Sequence, residues 1–249
     1  MKKRWSAIWL LLFILIGWEA AGRWMEVPAW LLPSPLKIFQ AGIEDWTRFY
    51  LHLLSTASLS LGGFLTGAAA GLLAAVLLHR VPGLRHPLYP FIILSQNVPV
   101  IVLAPLLVIW FGFGLLPKVI VITLVCFFPV TIAALDGFKQ TDRDLVHYFT
   151  MSGASKKQLF WKLEVPHSLP SIFSGLKIAA TYSVMGAVIS EWLGSKQGIG
   201  VYMTLASSSF RTDRVFVAIF AIMLLSLLFF FVIVLLERYF VRYQRKELR

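Results

Sequence analysis

Residues 54–78 read LSTASLSLGGFLTGAAAGLLAAVLL, and no charge interrupts them. A helix that crosses a bilayer needs about 20 mostly apolar residues, and this run is long enough. Similar runs lie on either side: about 5–21, 87–111, 116–138, 171–193 and 215–236. The whole chain agrees with them. Of its 249 residues 58% are hydrophobic and 14% charged, where soluble domains average roughly 45–50% and 25%. A water-soluble enzyme is excluded on this ground, and an all-α membrane protein with six spans is expected.

The net charge of +11 would suggest nucleic acid in a soluble protein. Here it reads as topology, because Lys and Arg collect in cytoplasmic loops. With both termini inside, fifteen Lys and Arg fall on inner segments and seven on outer ones, Lys177 lying within a span. Both termini are therefore expected in the cytoplasm, with the lipid bilayer as a partner and no nucleic acid. The first run, preceded by Lys2-Lys3-Arg4 and followed by Ala20-Ala21-Gly22, has a rival reading as a signal peptide. Glu19, just before the would-be cleavage site, favours an uncleaved first helix.

Gly63, Gly67, Gly71 and Ala75 stand four residues apart in the second span. Such a stripe lets a neighbouring backbone approach closely, and packing within the bundle is its expected use. The third span carries Pro90, Pro99 and Pro105, with Gln96-Asn97 near its middle. Prolines kink helices, and irregular backbone at membrane depth lies only against protein or a water-filled cavity. Gln96 and Asn97 thus either pair with other helices or line a pathway. Tyr182 and Ser183, near the middle of the fifth span, join them as pathway candidates. Glu191, near its outer end, is a functional candidate or an interfacial charge paired with Lys196.

The polar stretch 139–170 joins the fourth and fifth spans. Thr141-Asp142-Arg143-Asp144 resembles a capping box, which satisfies free N–H groups at a helix start. The helix it opens is expected to run through Met151 and stop at Ser152-Gly153. Ser155-Lys156-Lys157-Gln158 is a second capping box, opening a short helix that carries Leu159, Phe160 and Leu163 and ends near Pro166. Two short helices across a glycine turn form a plug. It either docks in a groove on another protein or lies on anionic lipid.

Gly153-Ala154-Ser155 followed by Phe160, Leu163, Val165 and Pro166 resembles the coupling-loop motif of permease subunits of bacterial ABC importers. These are the inner-membrane components of binding-protein-dependent transport systems. His147-Tyr148-Phe149 stand where the family pattern has Glu-Ala-Ala. Leu32-Pro33-Ser34-Pro35, Ala104-Pro105-Leu106, Trp110-Phe111-Gly112, Gly175-Leu176-Lys177 and Gly198-Ile199-Gly200 are similar to the nitrate/sulfonate/taurine-type branch. Within it the chain looks most like permeases for thiamine-precursor pyrimidines, with riboflavin and sulfonate permeases as neighbours. The resemblance implies a type I importer permease fold, residues 1–249 forming one transmembrane permease domain in the bacterial inner membrane. It also implies a homodimer, two ATP-binding subunits on the cytoplasmic face and an external solute-binding protein. Phe160 would be the knob that enters the ATP-binding subunit, and Gly153 would set the turn that presents it.

The chain has no phosphate loop of the G-x-x-x-x-G-K-[ST] type, so it is not the ATPase, and no cofactor is expected. Its single Cys126 and scattered His residues offer no metal-ligand spacing. A membrane-embedded transferase would need catalytic carboxylates clustered at one face. Glu19, Asp136, Glu191 and Glu237 fall at separate helix ends. A proton-coupled secondary transporter would need ionisable groups near the midplane, where spans two, three and six are uncharged.

Overall fold

The computed structural model describes residues 2–24, 28, 30–95 and 97–241, and every regular element among them is helical. The order is α1 (Lys2–Trp24), α2 (Pro35–Glu44), α3 (Trp46–Arg80), α4 (Pro82–Ser95), α5 (Val100–Phe111) and α6 (Leu115–Lys139). There follow α7 (Arg143–Met151), α8 (Lys156–Leu159), a π-turn (Phe160–Glu164), α9 (Val165–Glu191), α10 (Ile199–Ser208) and α11 (Thr212–Phe240). Among the described residues four helical runs are long and apolar enough to cross a membrane: Trp46–Arg80, Leu115–Lys139, Lys156–Glu191 and Thr212–Phe240. Leu12–Ala21 and Val100–Phe111 are shorter apolar helices.

The expected third span is two helices. α4 ends at Ser95 and α5 begins at Val100, with Asn97, Val98 and Pro99 outside helical geometry. Asn97 Nδ2 donates to Ile93 O at 3.0 Å, which offers the backbone an alternative to the helical ladder. Pro99 has no N–H to continue that ladder and is itself extended, with φ −62° and ψ 121°. Pro90 and Pro105, also expected to kink the span, lie inside α4 and α5.

The α3 stripe packs as expected, against α6. A side chain at Gly67 would lie 2.5 Å from Cys126 Cβ and 2.8 Å from Thr123 O; one at Gly71 would lie 2.8 Å from Phe127 O. Gly175 of α9 meets the other side of α6, 2.7 Å from Ala133 Cβ and from Pro129 O. Around these contacts Phe64, Ala68, Ile122, Cys126, Val130, Ala179 and Ala187 form the main buried cluster.

Among the described residues the ion pairs between elements sort into two ends. At one, Tyr202 Oη donates to Asp45 at 3.1 Å and Arg214 pairs with the same carboxylate at 3.2 Å. Burial and that carboxylate push the Tyr202 phenol above its ordinary range, so it stays a proton donor. At the other end His79 meets Glu164 at 2.8 Å and Lys177 meets Glu237 at 3.1 Å.

Overpacking the glycine seam should separate α3 from α6. Gly67→Leu is expected to cost at least about 1–3 kcal/mol and to lower the melting temperature of the purified protein. Gly62→Ala, with nothing within 4 Å of its added carbon, should not. Equal melting temperatures for both variants would refute the close seam.

Candidate functional site

The polar stretch between α6 and α9 folds from its own capping chemistry. Asp142, not Thr141, caps α7 and accepts from the Asp144 N–H at 2.8 Å. Thr141 turns back to Phe138 O. After Met151, Gly153 takes φ 79°, a left-handed value that suits glycine. Ser155 then opens α8 with a complete capping box: Ser155 Oγ accepts from the Gln158 N–H, and Gln158 Oε1 accepts from the Ser155 N–H at 2.8 Å.

The expected stop at Pro166 is absent. Helical geometry continues from Lys156 to Glu191. One turn widens so that the Val165 N–H bonds Phe160 O, five residues back. Such a π-turn changes the hydrogen-bond register just where Pro166 lacks an N–H. Val165 and Pro166 are thus the first residues of α9, and Leu163 lies in the π-turn.

Phe160 is not an exposed knob. It is 2% exposed, packed with Leu78, Leu135, Phe138 and Ile172. The Arg80 guanidinium sits 4.3 Å above its ring, a cation–π contact. Phe160 therefore anchors the loop to the bundle. The exposed apolar residues are Leu145, Tyr148 and Met151 on α7, with Trp161 beyond. No residue of α7 is buried. The spacing of three residues between Leu145, Tyr148 and Met151 is the signal that sequence reading passed over. Ala154 is half-buried, and Gly153 and Ser155 are exposed.

Of the pathway candidates, Gln96 lies outside the described residues. Asn97 and Tyr182 are exposed. Ser183 has no exposed surface and donates to Ala180 O, so it belongs to helix packing. Glu191 is 1% exposed. Its carboxylate accepts from Thr56 Oγ1 at 2.7 Å and from the Gly200 N–H at 2.8 Å, rather than pairing with Lys196. Thr56 Oγ1 accepts in turn from the Ile199 N–H at 2.7 Å, and His52 Nδ1 from the Gly198 N–H at 3.0 Å. Three side chains thus satisfy the first N–H groups of α10, which no intrahelical carbonyl reaches. The Gly198 backbone lies flat on the Glu191 carboxyl, where any side chain would collide. Glu191 fastens the segment 192–200 to α3. Among the described residues no His, Cys, Asp or Glu cluster has the form of a metal site.

Glu191→Ala strands buried donors, each costing about 1–3 kcal/mol. Phe160→Ala removes a buried aromatic, at about 3–5 kcal/mol. Both should lower the melting temperature of the purified protein, and Thr56→Ser should retain it. A Glu191→Ala protein that melts with the parent would refute the clasp.

Residues 67–242 match the family of binding-protein-dependent transport system inner membrane components. A formylaminopyrimidine transport permease of Halalkalibacterium halodurans is 36% identical, with 99% of this chain and 100% of that protein covered. A riboflavin transport system permease of Chloroflexus aurantiacus is 32% identical over 96% and 91%. A taurine transport system permease of Escherichia coli is 27% identical over 92% and 88%. The chain belongs to the binding-protein-dependent transport system inner membrane components, as a multi-pass permease subunit of an ABC importer with no enzymatic activity of its own.

Proposed function

We propose that this permease imports a thiamine-precursor pyrimidine, as half of a homodimer coupled to two ATP-binding subunits and served by an external solute-binding protein. The end-to-end 36% identity to the formylaminopyrimidine permease carries the choice of cargo. Riboflavin and taurine or sulfonate are the competing cargoes, each with a relative of lower identity. Tyr182, exposed on α9, and Asn97, exposed in the break between α4 and α5, are the pathway residues in this reading.

Six crossings follow if α1 and the α4–α5 pair are added to the four long runs, with both termini cytoplasmic. The excess of Lys and Arg on the segments assigned inside supports this orientation. Contacts at the two ends agree with it, since Asp45, His52, Gly198 and Arg214 meet at one and His79, Glu164, Lys177 and Glu237 at the other.

In this arrangement α7 faces the cytoplasm and enters the ATP-binding subunit, with Tyr148 and Met151 as the inserted side chains and Gly153 as the turn that presents them. Their exposures of 67% and 76% support this role. Truncating a central anchor costs at least about 2 kcal/mol. Tyr148→Asp and Met151→Asp should therefore melt like the parent yet lose the ATP-binding subunit on co-purification. Retention of that subunit by the double variant would refute docking through α7.

The cargo is tested by growth. A strain that cannot make the thiamine pyrimidine should grow on supplied formylaminopyrimidine only while this permease is present. Unchanged growth after its deletion, with no second importer compensating, would refute the cargo and leave the permease assignment intact.

A further inference from the structure

Nearly half of α9 is buried and much of the rest half-buried, yet Ser174, Ile178, Thr181, Tyr182 and Met185 are exposed. Their spacing puts them on one helix face. Beside that face lies an open cleft of about 490 Å³, lined by Ser174, Lys177, Ile178, Thr181, Tyr182 and Phe230 of α11. Lys177 is not a free cation there. Its Nζ donates to both Glu237 carboxylate oxygens, at 3.2 and 3.1 Å, and ties α9 to α11. The two side chains keep 22% and 24% exposure. Thr181 Oγ1 donates to Lys177 O within the helix, but an ion pair and the hydroxyls of Ser174 and Tyr182 are costly against hydrocarbon, so the face that exposes them meets protein or water.

We propose that this cleft is a resting site for the solute, and that the Lys177–Glu237 pair sets its charge selectivity. The proposal rests on the reading of the cargo as a pyrimidine. A flat, neutral heteroaromatic ring lies against Tyr182 and Phe230 and exchanges hydrogen bonds with Ser174, Thr181 and Tyr182. Because Glu237 neutralises Lys177, the described residues lining the cleft include no uncompensated cation to attract a sulfonate. Glu237 is thereby a specificity-determining residue at the coupling-loop end of the helices.

The test uses Thr181→Cys permease assembled with its ATP-binding subunits in lipid nanodiscs. Cys126 is fully buried, so the parent complex is the blank. Neutral methyl methanethiosulfonate should modify the new thiol. Anionic sulfonatoethyl and cationic trimethylammonioethyl analogues should react at similar rates. Adding Glu237→Gln should raise the anion-to-cation rate ratio about tenfold, as a local unpaired charge does. The double change Lys177→Met with Glu237→Leu should return the ratio to that of the Thr181→Cys parent, which general loosening of the bundle would not do.

Millimolar formylaminopyrimidine should protect the thiol. No modification by any reagent, while a Lys196→Cys control reacts, would overturn the site. So would an unchanged ratio in Glu237→Gln. Protection by riboflavin but not by the pyrimidine would uphold the site and overturn the cargo. Protection by taurine alone would overturn the assigned solute class, and protection by none of the three would overturn the resting site.

Discussion

The structure depends on how closely α6 can approach its two neighbours. In lipid there is little hydrophobic drive to bring apolar helices together, so close packing must supply the attraction. Gly67 and Gly71 bring α3 onto the α6 backbone from one side, and Gly175 brings α9 onto it from the other. Small buried residues, Ala68, Ala179 and Ala187 among them, extend the same contact. With three helices held this tightly, the remaining elements are arranged around a fixed frame. The α10–α11 segment attaches at one end through Asp45, Thr56 and Glu191, and the loop attaches at the other through His79 and Phe160.

The sequence revealed what short-range chemistry controls. Long apolar runs located α3, α6 and α11. The Ser155–Gln158 box and Gly153 located the turns of the loop, because capping depends on residues a few positions apart. The four-residue glycine stripe announced close packing, although its partner could not be read. The break near Gln96-Asn97 was legible from Pro99, but which prolines would bend a helix and which would be absorbed was not. Pro90 and Pro105 are accommodated inside helices.

The misreadings have a common cause, namely tertiary partners far away in sequence. Phe160 looked like a docking knob because an aromatic residue in a polar loop has no evident local neighbour. Its neighbours are Leu78, Phe138 and Arg80. Glu191 looked like a functional group on the pathway or an interfacial charge, but its acceptors are used by Thr56, 135 residues earlier, and by Gly200. Pro166 looked like a terminator because the widened turn before it leaves no mark in local composition. The family match spans residues 67–242 and does not depend on what any one of these residues touches.

The uninterrupted run from Lys156 to Glu191 has a mechanical consequence. At about 1.5 Å per residue, a helical rod of 36 residues is about 54 Å long. Its foot is set beside the glycine turn, its waist is clamped against α6, and its tip carries the carboxylate that holds α10. A rod clamped at its waist is a lever. Every degree of tilt imposed at the foot sweeps the tip roughly half an ångström the opposite way, given an arm of about half that length. A modest rotation at one membrane face is thus delivered to the other as displacement, with no side chain along the way needing to change its rotamer.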